Sequence, residues 1–237
     1  MATNLILTGG GIKSAVSAAR VADSELVLLH IAYGQPSASS ERKAVESFAR
    51  TLPRARICRI ELPYMRALSS GGLDALGAST GKTAAAPVSD DTAAVSPSVL
   101  RGLMPVLISV AGQVAIRIGA ETITLGLSRL SDAAHVGLPL VDGRPDSHRE
   151  FIHACDVMLE LLLRPRTRVK LECPLMDVGH AEIIQLAHRF RVPLERTWSC
   201  LGLALHPCGK CAGCHARTSA FSAAGYDDPA VQLTAAS

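Results

Sequence analysis

The sequence predicts an α/β fold in which a doubly wound parallel sheet is covered by helices and followed by a C-terminal zinc-binding segment. Short apolar runs alternate with segments of helical composition along most of the chain. Hydrophobic residues make up 48% and aromatic residues only 3%, so the core must be built from Ala, Val, Leu and Ile, as is usual for parallel sheets. The 237 residues suit one sizeable domain with a small appendage, which we place at residues 1–195 and 196–237.

The start of the chain has the architecture of a phosphate site. An apolar strand at residues 5–7 runs into a glycine-rich turn at residues 8–14, and residues 15–21 have helical composition. Glycines let backbone amides approach a ligand closely, and the amino terminus of a helix favours negative charge. A Walker A loop is excluded, because Ile12 rather than a glycine precedes Lys13.

The remaining elements follow from the apolar periodicity and the breaker residues. We expect strands at residues 26–32, 56–62, 121–127 and 169–176, and the second of these lies nearer the sheet edge because its apolar and polar residues alternate. Helices are expected at residues 41–52, 98–119, 150–163 and 177–191. Residues 69–97 look like a mobile loop or lid, and two phosphate-loop lookalikes within it, at 70–75 and 81–83, lack a convincing preceding strand.

Four of the seven cysteines lie close together near the carboxyl end, with two of their three gaps only two residues long. They are Cys200, Cys208, Cys211 and Cys214. Such spacing is typical of a structural Zn(Cys)4 site, which leaves no open position for water. An iron–sulfur cluster uses the same ligands and stays open. His206 or His215 could replace one thiolate, but four thiolates already satisfy zinc, so both histidines are expected to be bystanders. A disulfide cluster is disfavoured by the odd cysteine count, and the other three cysteines are expected to be ordinary buried thiols.

Charge and hydropathy narrow the class of protein. The net charge of +3 comes without a run of Lys and Arg or a basic stripe interleaved with aromatics, so nucleic acid is an unlikely partner. No apolar run is long enough to cross a bilayer, and the first residues lack the pattern of a signal peptide. We therefore expect a cytoplasmic protein without a membrane partner.

A series of short motifs carries a family resemblance. Near the carboxyl end these are TWSC at 197–200, CGKCAGC at 208–214, AF at 220–221, AG at 224–225 and DP at 228–229. In order and spacing they resemble the end of the QueC family, the 7-cyano-7-deazaguanine synthases. The triplet YGQ at 33–35 and PLMD at 174–177 extend the resemblance, and residues 145–151 keep the Pro, Asp, Glu and Phe of the family's PDCRPEF.

The resemblance implies a PP-loop, written SGGxDS, at residues 9–14, and here the chain departs from the family. Two glycines and Ser14 are kept, whereas Gly9 replaces the first serine and Lys13 replaces the aspartate. The second exchange removes a carboxylate that could help to hold Mg²⁺ and adds a cation that could contact phosphate directly. Similarly, His180 stands where relatives usually have lysine.

Membership of this family would make the protein an ATP-dependent C–N ligase. Relatives adenylate the carboxylate of 7-carboxy-7-deazaguanine and convert it with ammonia, through an amide, to the nitrile. The resemblance thus implies a deazapurine substrate, ATP with Mg²⁺, and a structural Zn²⁺ on the four cysteines. The residues implied in catalysis are Lys13, Ser14, Asp146 and Glu150, and those implied in nucleotide binding are Thr8, Gly9, Gly10, Gly11, Ser14, Tyr33, Gln35 and Arg101.

Two other functions stay open at this point. One is a paralogue, of the kind associated with phage-defence operons, that attaches a deazaguanine to another acceptor such as a protein. The other is a non-catalytic nucleotide-binding protein stabilised by zinc. Relatives are often dimers, so a homodimer is one expected assembly.

Overall fold

The computed structural model describes residues 2–62, 102–128, 149–163, 168–203 and 206–230. Its strands are β1 (Thr3–Leu7), β2 (Glu25–Ala32), β3 (Ala55–Glu61), β4 (Thr122–Leu125) and β5 (Lys170–Glu172). Its α-helices are α1 (Ile12–Ala19), α2 (Ala38–Ala49), α3 (Leu103–Ile118), α4 (Arg149–Leu163), α5 (His180–Arg189) and α6 (Ala212–Ala224), with a 3₁₀ turn at Leu194–Arg196. The expected loop at 69–97, its two lookalikes, Arg101 and Asp146 lie outside the described residues.

The strands form one parallel sheet in the order β3-β2-β1-β4-β5. The chain moves outward from β1 through β2 to β3, and then crosses to the other side of β1 to add β4 and β5. This reversal makes the sheet doubly wound, and it opens a crevice at the carboxyl ends of β1 and β4. The predicted fold class is confirmed.

Both faces of the sheet are covered by helices. Side chains alternate along each strand, so that Leu5 packs under α3 and α4, whereas its neighbour Ile6 packs under α1, α2, α5 and α6. Burial on both faces explains why β1 and β2 read as nearly continuous apolar runs. The predicted edge position of β3 is confirmed, and its exposed Arg56 and Arg59 are charges typical of an edge strand.

The last strand and the helix after it are both shorter than the sequence suggests. Pro174 has no N–H for a strand ladder, and the chain turns at once, with the Met176 N–H donating to the Cys173 carbonyl and the Val178 N–H to the Leu175 carbonyl. Helix α5 therefore begins at His180 instead of residue 177.

The cysteine-containing end of the chain packs onto the α/β body. Helix α6 packs against α5, and its Phe221 is 2% exposed within the same core as Ile6. The division of the chain at residues 195 and 196 stays a prediction. None of the helices in the described ranges combines the length and apolarity needed to cross a membrane.

Candidate functional site

The glycine-rich turn between β1 and α1 is held by a chain of hydrogen bonds. The Gly10 N–H donates to Thr8 Oγ1 at 3.0 Å, and the Ser14 hydroxyl donates to the Gly11 carbonyl at 3.0 Å. Thr8 Oγ1 and Ser14 Oγ lie 2.8 Å apart, with Thr8 as donor because the Ser14 proton is already used. The two predicted hydroxyl residues thus hold the turn in one shape.

Two neighbouring segments, the start of α2 and the residue after β4, pack closely against this turn. Gly10 has a φ of +73°, and a Cβ there would lie 2.8 Å from the Glu41 carbonyl oxygen. On the other side, a Cβ on Gly126, just after β4, would lie 2.5 Å from the Ser14 nitrogen. The Trp198 N–H also donates to the Gly10 carbonyl at 2.8 Å, which ties the turn to the segment leading to Cys200. Glycine is therefore required both within the turn and beside it.

A cavity of about 510 Å³ opens at the carboxyl ends of β1, β2 and β4. Its size lies within the range of small-molecule sites, and it occupies the point where the strand order reverses. The amino terminus of α1 borders it without a side-chain cap or an acidic residue in the first turn. Backbone amides of a first helical turn lack partners within the helix, so this wall favours an anion.

Lys13 and His180 border the cavity from α1 and α5. Burial, with a smaller contribution from the nearby Lys13 ammonium, lowers the pKa of His180 to about 4. The imidazole is consequently uncharged at neutral pH. Sequence analysis did not place His180 in the site. The one feature of the sequence that could have indicated it was the histidine at a position where relatives usually have lysine.

A half-buried carboxylate, that of Glu41, lies beside the glycine turn. Glu41 Oε2 accepts hydrogen bonds from Gln35 Nε2 at 2.9 Å and lies 3.2 Å from His30 Nε2, while Oε1 accepts from the Ser37 hydroxyl at 2.5 Å. Gln35 also accepts from the Tyr33 N–H at 2.8 Å, so its amide group shapes the end of β2. Sequence reasoning missed Glu41 and His30, although a histidine inside an apolar strand was a usable signal.

The four predicted cysteines come together. Their Sγ atoms all lie within 4.8 Å of one another, with 4.0 Å between Cys208 and Cys214 and 3.9 Å between Cys200 and Cys211. A tetrahedral ion with Zn–S bonds of about 2.3 Å separates its sulfurs by about 3.8 Å. These separations fit one zinc ion, and a cluster of several irons needs its ligands further apart.

Local backbone also favours thiolates at this centre. The Leu201 N–H points at Cys211 Sγ and the Cys208 N–H at Cys200 Sγ, each at 3.4 Å. The pKa of Cys208 is lowered to about 6, chiefly by the backbone N–H of Lys210. Burial raises the pKa of Cys214 to about 12, so its ionisation needs a compensating cation. His206 and His215 do not belong to the group.

The Arg217 side chain connects the cysteine-containing segment to the rest of the site through hydrogen bonds. Its side chain is 5% exposed and donates to both oxygens of Asp228 at 2.7 and 2.9 Å. It also donates to Thr197 Oγ1 at 2.8 Å and to the Leu194 carbonyl at 3.0 Å. The arginine therefore joins α6, the 3₁₀ turn and the strand-like segment before Cys200. Its place in the family-like motif after the cysteines was the signal available from sequence.

Most of the predicted site residues border one cavity. The following lie in its wall: Thr8, Gly9, Gly11, Lys13, Ser14, Tyr33, Gln35 and Cys200. Gly10 lies in the same turn, and Glu150 lies on the exposed first turn of α4, outside the wall. Arg101 and Asp146 fall outside the described residues, so their roles stay predictions.

Comparison with known proteins agrees with these observations. A curated 7-cyano-7-deazaguanine synthase of Methanothrix thermoacetophila is 29% identical over 97% of this chain and 98% of its own length. The synthases of Methanospirillum hungatei and Nitratiruptor sp. are 29% and 26% identical, each over 94% of this chain and 96% of their own lengths. A solved alcohol dehydrogenase from Comamonas testosteroni reaches a TM-score of only 0.38 at 17% identity, over 81% of this chain and 84% of its own, too low to bear on the fold. Residues 3–225 match the family described as queuosine biosynthesis protein QueC, and the chain belongs to that family.

Proposed function

We propose that the protein is an ATP-dependent enzyme that converts 7-carboxy-7-deazaguanine to its nitrile with ammonia. One observation carries the proposal beyond family membership: the glycine turn and the first zinc-binding cysteine border the same cavity. The named relatives match this chain along nearly their whole lengths. This full-length match supports the same overall arrangement of the site in this chain and in the relatives.

Conversion of a carboxylate to a nitrile must break both bonds from carbon to oxygen. In the proposed sequence the carboxylate attacks the α-phosphate of ATP and pyrophosphate leaves. Ammonia then attacks the acyl carbon, and AMP departs with the first oxygen. The resulting amide oxygen attacks a second ATP and leaves with its AMP as the nitrile forms. Two molecules of AMP are therefore expected for each nitrile.

The chain's own groups would act mainly by positioning and by stabilising charge. Backbone amides of the glycine turn and of the first turn of α1 would hold phosphate oxygens, and the Lys13 ammonium would stabilise the departing pyrophosphate. The hydroxyls of Thr8 and Ser14 already bond within the turn, which supports a role for them in fixing its shape. The contacts of Asp146 and Glu150 with the base, and of Arg101 with the nucleotide, are proposed from the resemblance alone.

Zinc would have a structural role. Four thiolates complete a tetrahedron and leave no position for substrate or water. Bound there, the ion would fix the segment from Trp198 to Cys200, and through the Trp198 N–H it would support the glycine turn. Free thiolates persist in a reducing compartment, so we propose a cytoplasmic location.

A single incubation tests the proposal. The protein is mixed with ATP, 7-carboxy-7-deazaguanine and ammonia, and the nitrile is measured by mass spectrometry and AMP by chromatography. Nitrile formed with two equivalents of AMP supports the proposal, and omission of ammonia should abolish the nitrile.

Lys13 in place of the PP-loop aspartate favours a second candidate, a paralogue that passes the activated deazaguanine to another acceptor. AMP released only when a protein or nucleic-acid acceptor is added supports that candidate. Nucleotide binding without AMP release under either condition indicates a non-catalytic protein.

A further inference from the structure

We infer that the indole ring of Trp198 stacks on the planar ring of the deazapurine substrate and holds that ring beside the glycine turn. This role rests on the proposed function and names the residue that receives the base. Three features support it: the hydrogen bonds of Trp198, its partial exposure in the cavity, and the short distance between the ring and the reacting group in the substrate.

Both N–H groups of Trp198 are bonded within the protein. The backbone N–H donates to the Gly10 carbonyl at 2.8 Å, and the indole Nε1–H donates to the Cys200 carbonyl at 2.7 Å. Tryptophan has no other hydrogen-bond donor. The residue is therefore held both at its backbone and at its ring, and the surface that its side chain can still offer a ligand is the apolar face of the indole.

Trp198 is only partly buried, although its neighbours in sequence are covered. Thr197 is 6% exposed and Cys200 is 2% exposed, whereas Trp198 keeps part of its surface open and borders the cavity. A large aromatic side chain gains free energy when its surface leaves water. An indole left partly open in a concave wall therefore offers that gain to a ligand.

The part of the wall that continues from Trp198 suits a flat ring. Leu201 follows three residues later, and a Cβ on Gly213 of α6 would lie 3.3 Å from the Leu201 Cγ, so the two segments are closely packed. Helices α5 and α6 add apolar or small residues to this part of the wall: Ile183, Ile184, Gly213, Ala216 and Ala220. Such a lining favours the faces of a planar heterocycle.

The chemistry of the substrate places its ring close to the turn. The carboxylate is bonded directly to the ring, so a carboxylate that attacks the α-phosphate of ATP brings the ring within a few bonds of that phosphate. Adenine, by contrast, is separated from the α-phosphate by the ribose. Trp198 lies at the turn itself, where a Cβ on Gly11 would be 3.6 Å from its carbonyl oxygen. The indole is therefore placed for the deazapurine rather than for adenine.

Calorimetric titration tests the stacking contact. The zinc-loaded protein, saturated with a non-hydrolysable ATP analogue and Mg²⁺, is titrated with 7-carboxy-7-deazaguanine. Because stacking of a base on an aromatic side chain changes affinity by about fivefold to 150-fold, Trp198→Leu should raise the Kd about tenfold or more. Trp198→Phe keeps an aromatic ring and should raise the Kd by less than about threefold.

Two controls assign the effect to the indole. The Kd of the ATP analogue should change by less than about twofold in both Trp198 variants. Tyr226→Leu removes an exposed aromatic ring that lies after α6 and outside the wall, so it should change neither constant. Zinc content of about one equivalent per chain in each variant separates loss of the stacking contact from loss of the cysteine centre.

The wild-type protein provides a second measurement. Trp198 is the single tryptophan of the chain, so its fluorescence reports on this ring alone. Stacking should quench the emission, and the quenching should saturate with the same Kd that calorimetry gives. This measurement decides the question even if Trp198→Leu does not fold.

The outcomes separate this inference from the proposed function. Binding of 7-carboxy-7-deazaguanine that Trp198→Leu does not weaken, or that leaves the Trp198 emission unchanged, would overturn the inference and leave the proposed function intact. Weakened binding of the ATP analogue alone would assign the indole to adenine and would also overturn it. A wild-type protein that does not bind the deazapurine would overturn both.

Discussion

Gly213, the second residue of α6, tests whether the cysteine segment depends on a close backbone contact. A Cβ on this residue would lie 2.0 Å from the Ser199 carbonyl oxygen and 3.2 Å from the carbonyl carbon. Ordinary van der Waals contact requires roughly 1 Å or more of additional separation, so Gly213→Ala must displace the neighbouring segment. Cys200 follows Ser199 directly, and zinc–ligand distances are held within about 0.2 Å.

Two opposing effects set the size of the change. Alanine favours a helix interior over glycine by about 1 kcal/mol, whereas overpacking costs about 1–3 kcal/mol. The steric effect should win, with a net loss of up to about 2 kcal/mol and a decrease in Tm of up to about 8 °C for a chain of this size. Zinc content should fall well below one equivalent per chain.

Thermal denaturation and elemental analysis of the purified protein measure both effects. Gly179→Ala is the matched control, because a Cβ there meets no atom within 4 Å and the residue has a φ of −70°. A Gly213→Ala protein with wild-type Tm and a full equivalent of zinc would refute the reasoning.

Three further changes have expected outcomes. Replacement of Arg217 by Met strands the buried Asp228 carboxylate and should cost about 3–5 kcal/mol in urea denaturation, with part of the loss recovered when Asp228→Asn is added. His180 binds a proton more readily in the unfolded chain than in the folded one, so stability should fall, by at most about 3 kcal/mol, as pH drops from about 6.5 towards 4. His180→Gln should flatten this part of the pH profile, and an unchanged slope would show that other groups cause it. Within the described residues the buried Ser17 hydroxyl has no hydrogen-bond partner, so Ser17→Ala should leave the free energy of unfolding unchanged or raise it by up to about 1 kcal/mol, and a clear loss would contradict the assignment.

Features set by residues close in sequence could be predicted, because local spacing limits the geometry. The four cysteines lie within fifteen residues, 200–214, and they converge as expected. The glycine turn follows directly from β1, so its place at the sheet edge follows from the strand itself. The doubly wound parallel sheet also follows from alternating strands and helices with a glycine-rich first turn, although the order of its strands was not predicted.

Features set by distant pairs could not be predicted from one sequence. Lys13 and His180 are 167 positions apart, and nothing in the local sequence of either indicates that they share a wall. Glu41 looks like an ordinary acidic residue in the first turn of α2 until β2 brings His30 and Gln35 to it. Pro174 has no N–H to donate to a strand ladder, so it indicates that β5 ends early. The apolar residues around Pro174 favoured a longer strand in the prediction from sequence.

The most direct test is a crystal structure of the zinc-loaded protein with a non-hydrolysable ATP analogue. The account predicts phosphate oxygens against the backbone amides of the glycine turn and the Lys13 ammonium, in the cavity that Cys200 borders. An analogue bound at another surface, with that turn closed to phosphate, would contradict it.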